Sequence, residues 1–198
     1  MTEKQAHGEL LVNGNFAIGD FSGWMSWTPE DMAIVPQEGK NIAVLAPVPY
    51  GAKVVLRQLI DRESSDGAYV VGYWLRTSDK QGDAVRGVTR KATINLVIHP
   101  TDGGLGQFYI LSTVATSSWV KHVFRFWIEG RANQQFELYF KNEKLQPQDA
   151  AAPPAEMDNY TTVSLSDDGP DLATPNDDDD DNCAFALRDA VLFKFPPA

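Results

Sequence analysis

Cysteine is almost missing from this sequence, with Cys183 the only one in 198 residues. That excludes an intramolecular disulfide and any metal site built from several cysteines. Long apolar runs are missing too: none approaches the roughly 20 residues of a membrane span, and the opening MTEKQAHGE is no secretory leader. The chain reads as soluble. Positive charge is scarce, 17 Lys and Arg against 27 Asp and Glu, for a formal net charge of −10. A surface of that sign repels phosphate backbones, which argues against nucleic acid and for a neutral or cationic ligand. There is no HExxH spacing among His7, His99 and His122, no GxSxG elbow, no P-loop and no dinucleotide fingerprint. Cys183 follows the acidic run Asp177–Asp181, a neighbourhood that disfavours the thiolate a nucleophile needs. The chain reads as no enzyme.

Helical periodicity is nearly absent as well. In its place, short runs alternating apolar and polar residues recur between clusters of Gly, Pro, Asp and Ser, the pattern of an antiparallel sandwich. Leu10–Val12 reads as a short strand running into the turn Asn13-Gly14-Asn15, and Phe16, Phe21, Trp24 and Trp27 follow as an aromatic lid over a core. Further strands are expected over 41–46, ended by Pro47 and Pro49, then over 53–60, 69–78, 92–99, 107–114, 119–128, 135–142 and 184–194. Alternation puts Tyr69, Val71, Tyr73 and Leu75 inside, with Ile94, Leu96, Ile98, Phe124, Phe126, Ile128, Phe136, Leu138 and Phe140. The fold class is all-β, a two-sheet antiparallel jelly roll of about nine strands.

At this length one core is the expectation, residues 1–198 forming a single β-sandwich domain with an insertion over 143–183 before the last strand. The insertion is too long for an ordinary connection. It holds a Pro/Ala-rich stretch, the segment YTTVSLS that reads as an edge strand or hairpin, and the five aspartates, which read as a solvated acidic loop or a segment held by a cation or neighbour.

Four features occur in the order found in jelly-roll carbohydrate-binding modules. They are Asn13-Gly14-Asn15-Phe16 with Gly23-Trp24, the Tyr69 to Arg76 strand with Tyr73-Trp74-Leu75-Arg76, the Ser117-Ser118-Trp119 entry to a long strand, and the closing Leu187-Arg188-Asp189-Ala190-Val191. The chain thus resembles the group containing families 4 and 22, in the galactose-binding-domain-like superfamily. The resemblance implies a non-catalytic module that binds an oligo- or polysaccharide, a secreted or cell-surface role, Trp24 and Trp119 in the core, and a structural calcium ion between the opening box and the closing aspartate. Asn15 and Asp189 take the calcium positions. The family's following glutamate is Ala17 here, which removes a charged ligand. The other reading is that Asn15 and Asp189 hydrogen-bond across the same seam.

A sugar face needs aromatic planes for pyranose rings and polar groups for hydroxyls. If the strands starting at Lys53, Ala92, Gln107 and Gln135 share one sheet, its outer face shows Arg57, Asn95, His99, Tyr109, Glu137 and Tyr139. The resemblance places the cleft there, with an outward glutamate and tyrosine two residues apart. The other sheet shows Trp74, Arg76, Arg125 and Trp127, a second stacking platform or satellite core under a cover. A protein-interaction or assembly subunit of a toxin-like or cell-surface particle, and so an oligomer, is the alternative reading of the same aromatics.

Overall fold

The computed structural model describes residues 8–47, 53–64, 67–86, 90–100, 107–128, 134–143, 161–166 and 183–195. The 100–106 turn in part, most of the 143–183 insertion and the run Asp177–Asp181 lie outside the described residues. The elements are β1 (Met25–Ser26), a single 3-10 turn (Pro29–Asp31), β2 (Met32–Gln37), β3 (Lys40–Leu45), β4 (Lys53–Ser64), β5 (Gly67–Ser78), β6 (Arg90–Pro100), β7 (Gln107–Ala115), β8 (Val120–Ile128), β9 (Gln134–Glu143), β10 (Thr161–Ser166) and β11 (Ala184–Lys194). They form a five-stranded sheet in the order β1-β4-β9-β6-β7 and a six-stranded sheet in the order β10-β8-β5-β11-β3-β2. Neighbouring strands pair antiparallel in both. This is the expected two-sheet jelly roll, and YTTVSLS supplies its edge strand beside β8.

Period-two alternation decides which side chains meet between the sheets. Tyr69, Val71, Tyr73 and Leu75 of β5, Phe124 and Phe126 of β8, and Leu138 and Phe140 of β9 are all buried in one apolar cluster. Tyr73 and Phe140, from opposite sheets, meet edge to face with ring centroids 5.1 Å apart, a geometry the aromatic quadrupole favours. His122 sits on the same inner face, its ring 5.4 Å from that of Tyr73. Burial pushes its pKa down to about 4.

The opening aromatics close one end of this core. Phe16 is fully buried and packs 5.7 Å from Trp24, which lies 6.0 Å from Phe140. The Trp24 indole N–H donates to the carbonyl of Asn13. Leu10–Val12, however, is not a strand. Leu10 N donates to Leu192 O of β11 at 2.8 Å, and Val12 is held by a side chain: the buried amide of Gln58 accepts from Val12 N at 2.7 Å and donates to Val12 O at 2.8 Å. One amide thus does the work of a neighbouring strand residue.

Two strands escape the sequence reading. β1 is only two residues, paired with Leu56 and Arg57 of β4. β2 contains Pro36, which an edge strand tolerates because the missing N–H faces away from its one partner. Its hairpin to β3 turns on Glu38 and Gly39, both at positive φ, the pattern of a two-residue primed turn. β11 carries a bulge between Arg188 and Val191, with Asp189 at φ 49°. There Ala190 N donates to Gly14 O at 2.9 Å, and a Cβ on Gly14 would lie 2.0 Å from the carbonyl oxygen of Ala190. The close approach explains the glycine of the opening box: it docks the N-terminal turn against the bulge.

Candidate functional site

The outer face of the five-stranded sheet carries a continuous row. Register places Met25 of β1 beside Arg57 of β4, Arg57 beside Tyr139 of β9, and Tyr139 beside Asn95 of β6. One step along, Glu137 lies between Leu59 and Val97. Arg57 Nη1 donates to Glu137 Oε1 at 2.8 Å, and the Tyr139 hydroxyl donates to Glu137 Oε2. Glu137 is nearly buried, while Arg57 and Tyr139 are partly open. The carboxylate is therefore engaged as an acceptor on both oxygens and fixes the two side chains that do meet solvent. Burial, then the bond to Glu137, holds the Tyr139 hydroxyl above its ordinary pKa.

Trp27 completes the face. It leaves the core just after β1 and stands 57% exposed, its ring 6.5 Å from that of Tyr139 and tilted by 54°. The Arg57 guanidinium lies 5.1 Å from the Trp27 ring centroid and Lys53 Nζ 5.8 Å, so the indole is oriented by cations from β4. Lys141 Nζ stands 5.9 Å from the Tyr139 ring. Two aromatic planes, a guanidinium and two ammonium groups thus share one open surface. Trp27 was not among the expected site residues. The signal available for it was spacing: three residues past the core Trp24, it falls beyond the two-residue strand that turns the chain outward.

The expected site residues divide. Arg57, Glu137 and Tyr139 come together. Asn95 is in register with Tyr139, and His99 with Gln135, on the same alternation; the side chains of Asn95, His99 and Tyr109 are outside the described set. Position 109 falls on the other alternation by backbone register. Its backbone pairs with Leu96, itself paired with the buried Leu138, which puts position 109 on the alternation of the core.

On the six-stranded sheet Trp74 and Trp127 do not form one platform. Trp74 pairs with Lys121 and Trp127 with Ala68, six positions apart along β5, about 20 Å at strand rise. Trp127 is exposed, whereas Trp74 is half-buried between Lys121 and Arg188, whose charged ends lie 5.8 and 5.2 Å from its ring. Arg76, expected outward, is buried, because Trp119 covers it: Trp119 packs with Ile42, Val44, Ala184 and Ala186 in a second apolar cluster on the outside of this sheet. Trp119 is thus buried as expected, but outside the sandwich.

Both calcium positions have protein partners. Asp189 Oδ2 is 2.7 Å from Lys40 Nζ, a cation already in place, and Asn15 Oδ1 accepts from Ala17 N within its own turn. Asn15 bonds Ala17 and Asp189 bonds Lys40, rather than each other. No group of three or more His, Cys, Asp and Glu suited to a metal occurs among the described residues, and a calcium ion needs 6 to 8 oxygens.

No protein-family model and no curated protein matches the chain. Solved structures do. The family 61 carbohydrate-binding module TmCBM61, in complex with β-1,4-galactotriose, aligns over 95% of this chain and 99% of its own, at 14% identity and a TM-score of 0.50. The tandem family 22 modules of Xyn10C from Paenibacillus barcinonensis align over 96% of this chain and 51% of theirs, at 10% identity and a TM-score of 0.56. The enzymatically active domain of tailspike protein 4 from bacteriophage CBA120 aligns over 94% of this chain and 21% of its own, at 10% identity and a TM-score of 0.53. Among the described residues no helix is long and apolar enough to cross a membrane. With its two antiparallel sheets, its aromatic lid and its bulged closing strand, the chain has the jelly-roll fold of carbohydrate-binding modules.

Proposed function

We propose that the chain is a non-catalytic carbohydrate-binding module whose glycan lies across the outer face of the five-stranded sheet, stacked on Trp27 and Tyr139. The observation that carries this reading is the pairing of two partly exposed aromatic planes 6.5 Å apart with a fixed Arg57–Glu137 ion pair beside them. Such planes cover the C–H faces of pyranose rings, and Arg57 and Lys53 supply donors for ring hydroxyls. Glu137 acts here as a positioning group, held by Arg57 and Tyr139, rather than as an acid facing a second carboxylate across a cleft. Affinity for one chain end is modest on so open a surface, and tight binding comes from several copies or a fused partner.

The test is a glycan array of neutral oligosaccharides, β-galactans, xylans and β-glucans included, with the unmutated protein and Trp27→Ala. Binding lost in the variant supports the site. No retained glycan with the unmutated protein would falsify the reading. A second reading is an assembly subunit. It draws on Met25, Trp27 and Leu59, three exposed apolar side chains on neighbouring strands of the same sheet or its flank, a surface that a protein partner would cover. Concentration-dependent self-association abolished by Trp27→Ala, with no glycan retained, is its signature.

A further inference from the structure

The outside of the six-stranded sheet holds a cavity of about 440 Å³ lined by Glu38, Arg76, Ala84, Arg86, Ser117, Ser118, Trp119 and Arg188, a size within the roughly 300–1,000 Å³ of small-ligand clefts. In a chain with ten more acids than bases, three of the 17 Lys and Arg converge on this one recess. They come from separate elements: Arg76 from β5, Arg86 from the segment after it, and Arg188 from the residue before the β11 bulge.

Two of the three guanidinium groups are held against an aromatic ring, and Arg86 is exposed. Arg76 and Arg188 lie 4.5 and 4.3 Å from the centroid of the Trp119 ring. Arg76 Nη2 donates to Gln37 Oε1 at 2.6 Å and to the carbonyl of Gly82, and Gln37 Nε2 donates to the same carbonyl. Those bonds use one end of the fork. Arg76 Nε and the Trp119 indole N–H, both buried, have no hydrogen-bond partner among the described residues. Two buried donors left over beside a cavity lined by arginines is the inventory of a site for an acceptor. The acids whose charges reach Arg76 are Glu38, Asp83 and Asp79. Of these, only Glu38 lines the cavity, and Asp79 Oδ1 is occupied by the N–H groups of Gln81 and Asp83.

We infer that this recess is a second ligand site, separate from the Trp27–Tyr139 face, and that it takes an acidic saccharide unit bearing a carboxylate, a hexuronate. Arg76, with its Nε–H unpartnered among the described residues, and the exposed Arg86 offer planar forks that match a carboxylate. Glu38 and the hydroxyl of Ser118 offer acceptors and a donor for sugar hydroxyls, a use that a bare inorganic anion does not have for them. Glu38 is itself held at φ 50°, in the turn that brings it to the rim.

The probes are D-glucuronate and D-galacturonate against D-glucose, D-galactose and inorganic sulfate, read by the tryptophan indole and arginine Nε resonances of the full chain. Uronates shift the Trp119 indole and an arginine Nε, neutral hexoses do not, and sulfate binds more weakly. Arg86→Ala, at an exposed position, weakens uronate binding by about tenfold or more, Arg86→Lys restores part of it, and Tyr139→Ala leaves it unchanged. Equal binding of neutral hexoses, sulfate binding as tightly as uronate, absence of uronate binding, or insensitivity to Arg86→Ala each overturns the inference. Because Tyr139→Ala removes the other face alone, failure at either site is distinguishable from failure at the other.

Discussion

Lys40 Nζ lies 2.7 Å from Asp189 Oδ2, an ion pair that ties the first residue of β3 to the bulge of β11. The two residues are 149 apart in sequence, and a family resemblance places a dication near the same carboxylate. A lysine there supplies positive charge without ligand geometry. We therefore expect calcium and chelators to leave stability alone: adding EDTA or millimolar calcium moves Tm by less than about 2 °C, since a ligand that binds only the folded state raises it measurably. A calcium-dependent rise of several degrees would show that the ion displaces Lys40.

His122 makes stability depend on pH. It is 3% exposed, and burial lowers its pKa from 6.5 to about 4. Between those values the unfolded chain takes up a proton that the fold refuses, so stability is full above about pH 6.5 and falls as pH drops toward 4. The loss is roughly 3 kcal/mol if the whole shift is realised. Urea titrations at several pH values check the slope, and His122→Phe flattens it.

Gly14 is a backbone position that admits no side chain. The Cβ of Gly14→Ala would stand 2.0 Å from the carbonyl of Ala190, so either the opening turn or the bulge has to move. A loss of about 2 kcal/mol or more is expected, measured by chemical denaturation. Gly39→Ala, with nothing within 4 Å of its Cβ, has only the strain of φ 78° to bear and serves as the milder control.

Tyr139→Phe separates the two roles of the tyrosine. The ring stays beside Trp27, while Glu137 loses the donor that the hydroxyl supplies. We expect glycan binding to fall by a few-fold, and by about tenfold or more in Tyr139→Ala, where the plane itself is gone. Calorimetric titration compares them, with the Tm of each variant as the control for folding.

Much of the fold was legible because its signal is local. Period two in YVVGYWLRTS and WVKHVFRFWI puts Tyr69, Val71, Tyr73, Leu75, Phe124 and Phe126 on the inner faces of β5 and β8, where the core has them. The misses have physical causes. Met32–Gln37 contains Pro36, a mark against a strand in the interior of a sheet but not at its edge. Leu10–Val12 has the composition of a strand, yet Val12 bonds the Gln58 side chain, a contact across 46 residues that no local pattern carries. The 107–114 run alternates weakly, so the register of position 109 is set by its pairing with Leu96 across the sheet. Trp119 is apolar enough for the core, and only the placement of Ile42, Val44, Ala184 and Ala186 shows that it covers the sheet from outside. At the candidate site, the juxtaposition of Arg57, Glu137 and Tyr139 follows from face and strand order, whereas the place of Trp27 depends on a two-residue strand that only its spacing from Trp24 hints at.

The most direct test of the central claim is a titration of the chain's tryptophan indole resonances with whichever soluble glycan the array retains. Trp24, Trp27, Trp74, Trp119 and Trp127 sit in five different environments, so the site reports itself. If the glycan lies on the five-stranded sheet, the Trp27 resonance moves in proportion to occupancy while those of Trp24 and Trp127 stay fixed. Movement confined to Trp127, or a Trp27 signal indifferent to a glycan that binds, would contradict the account.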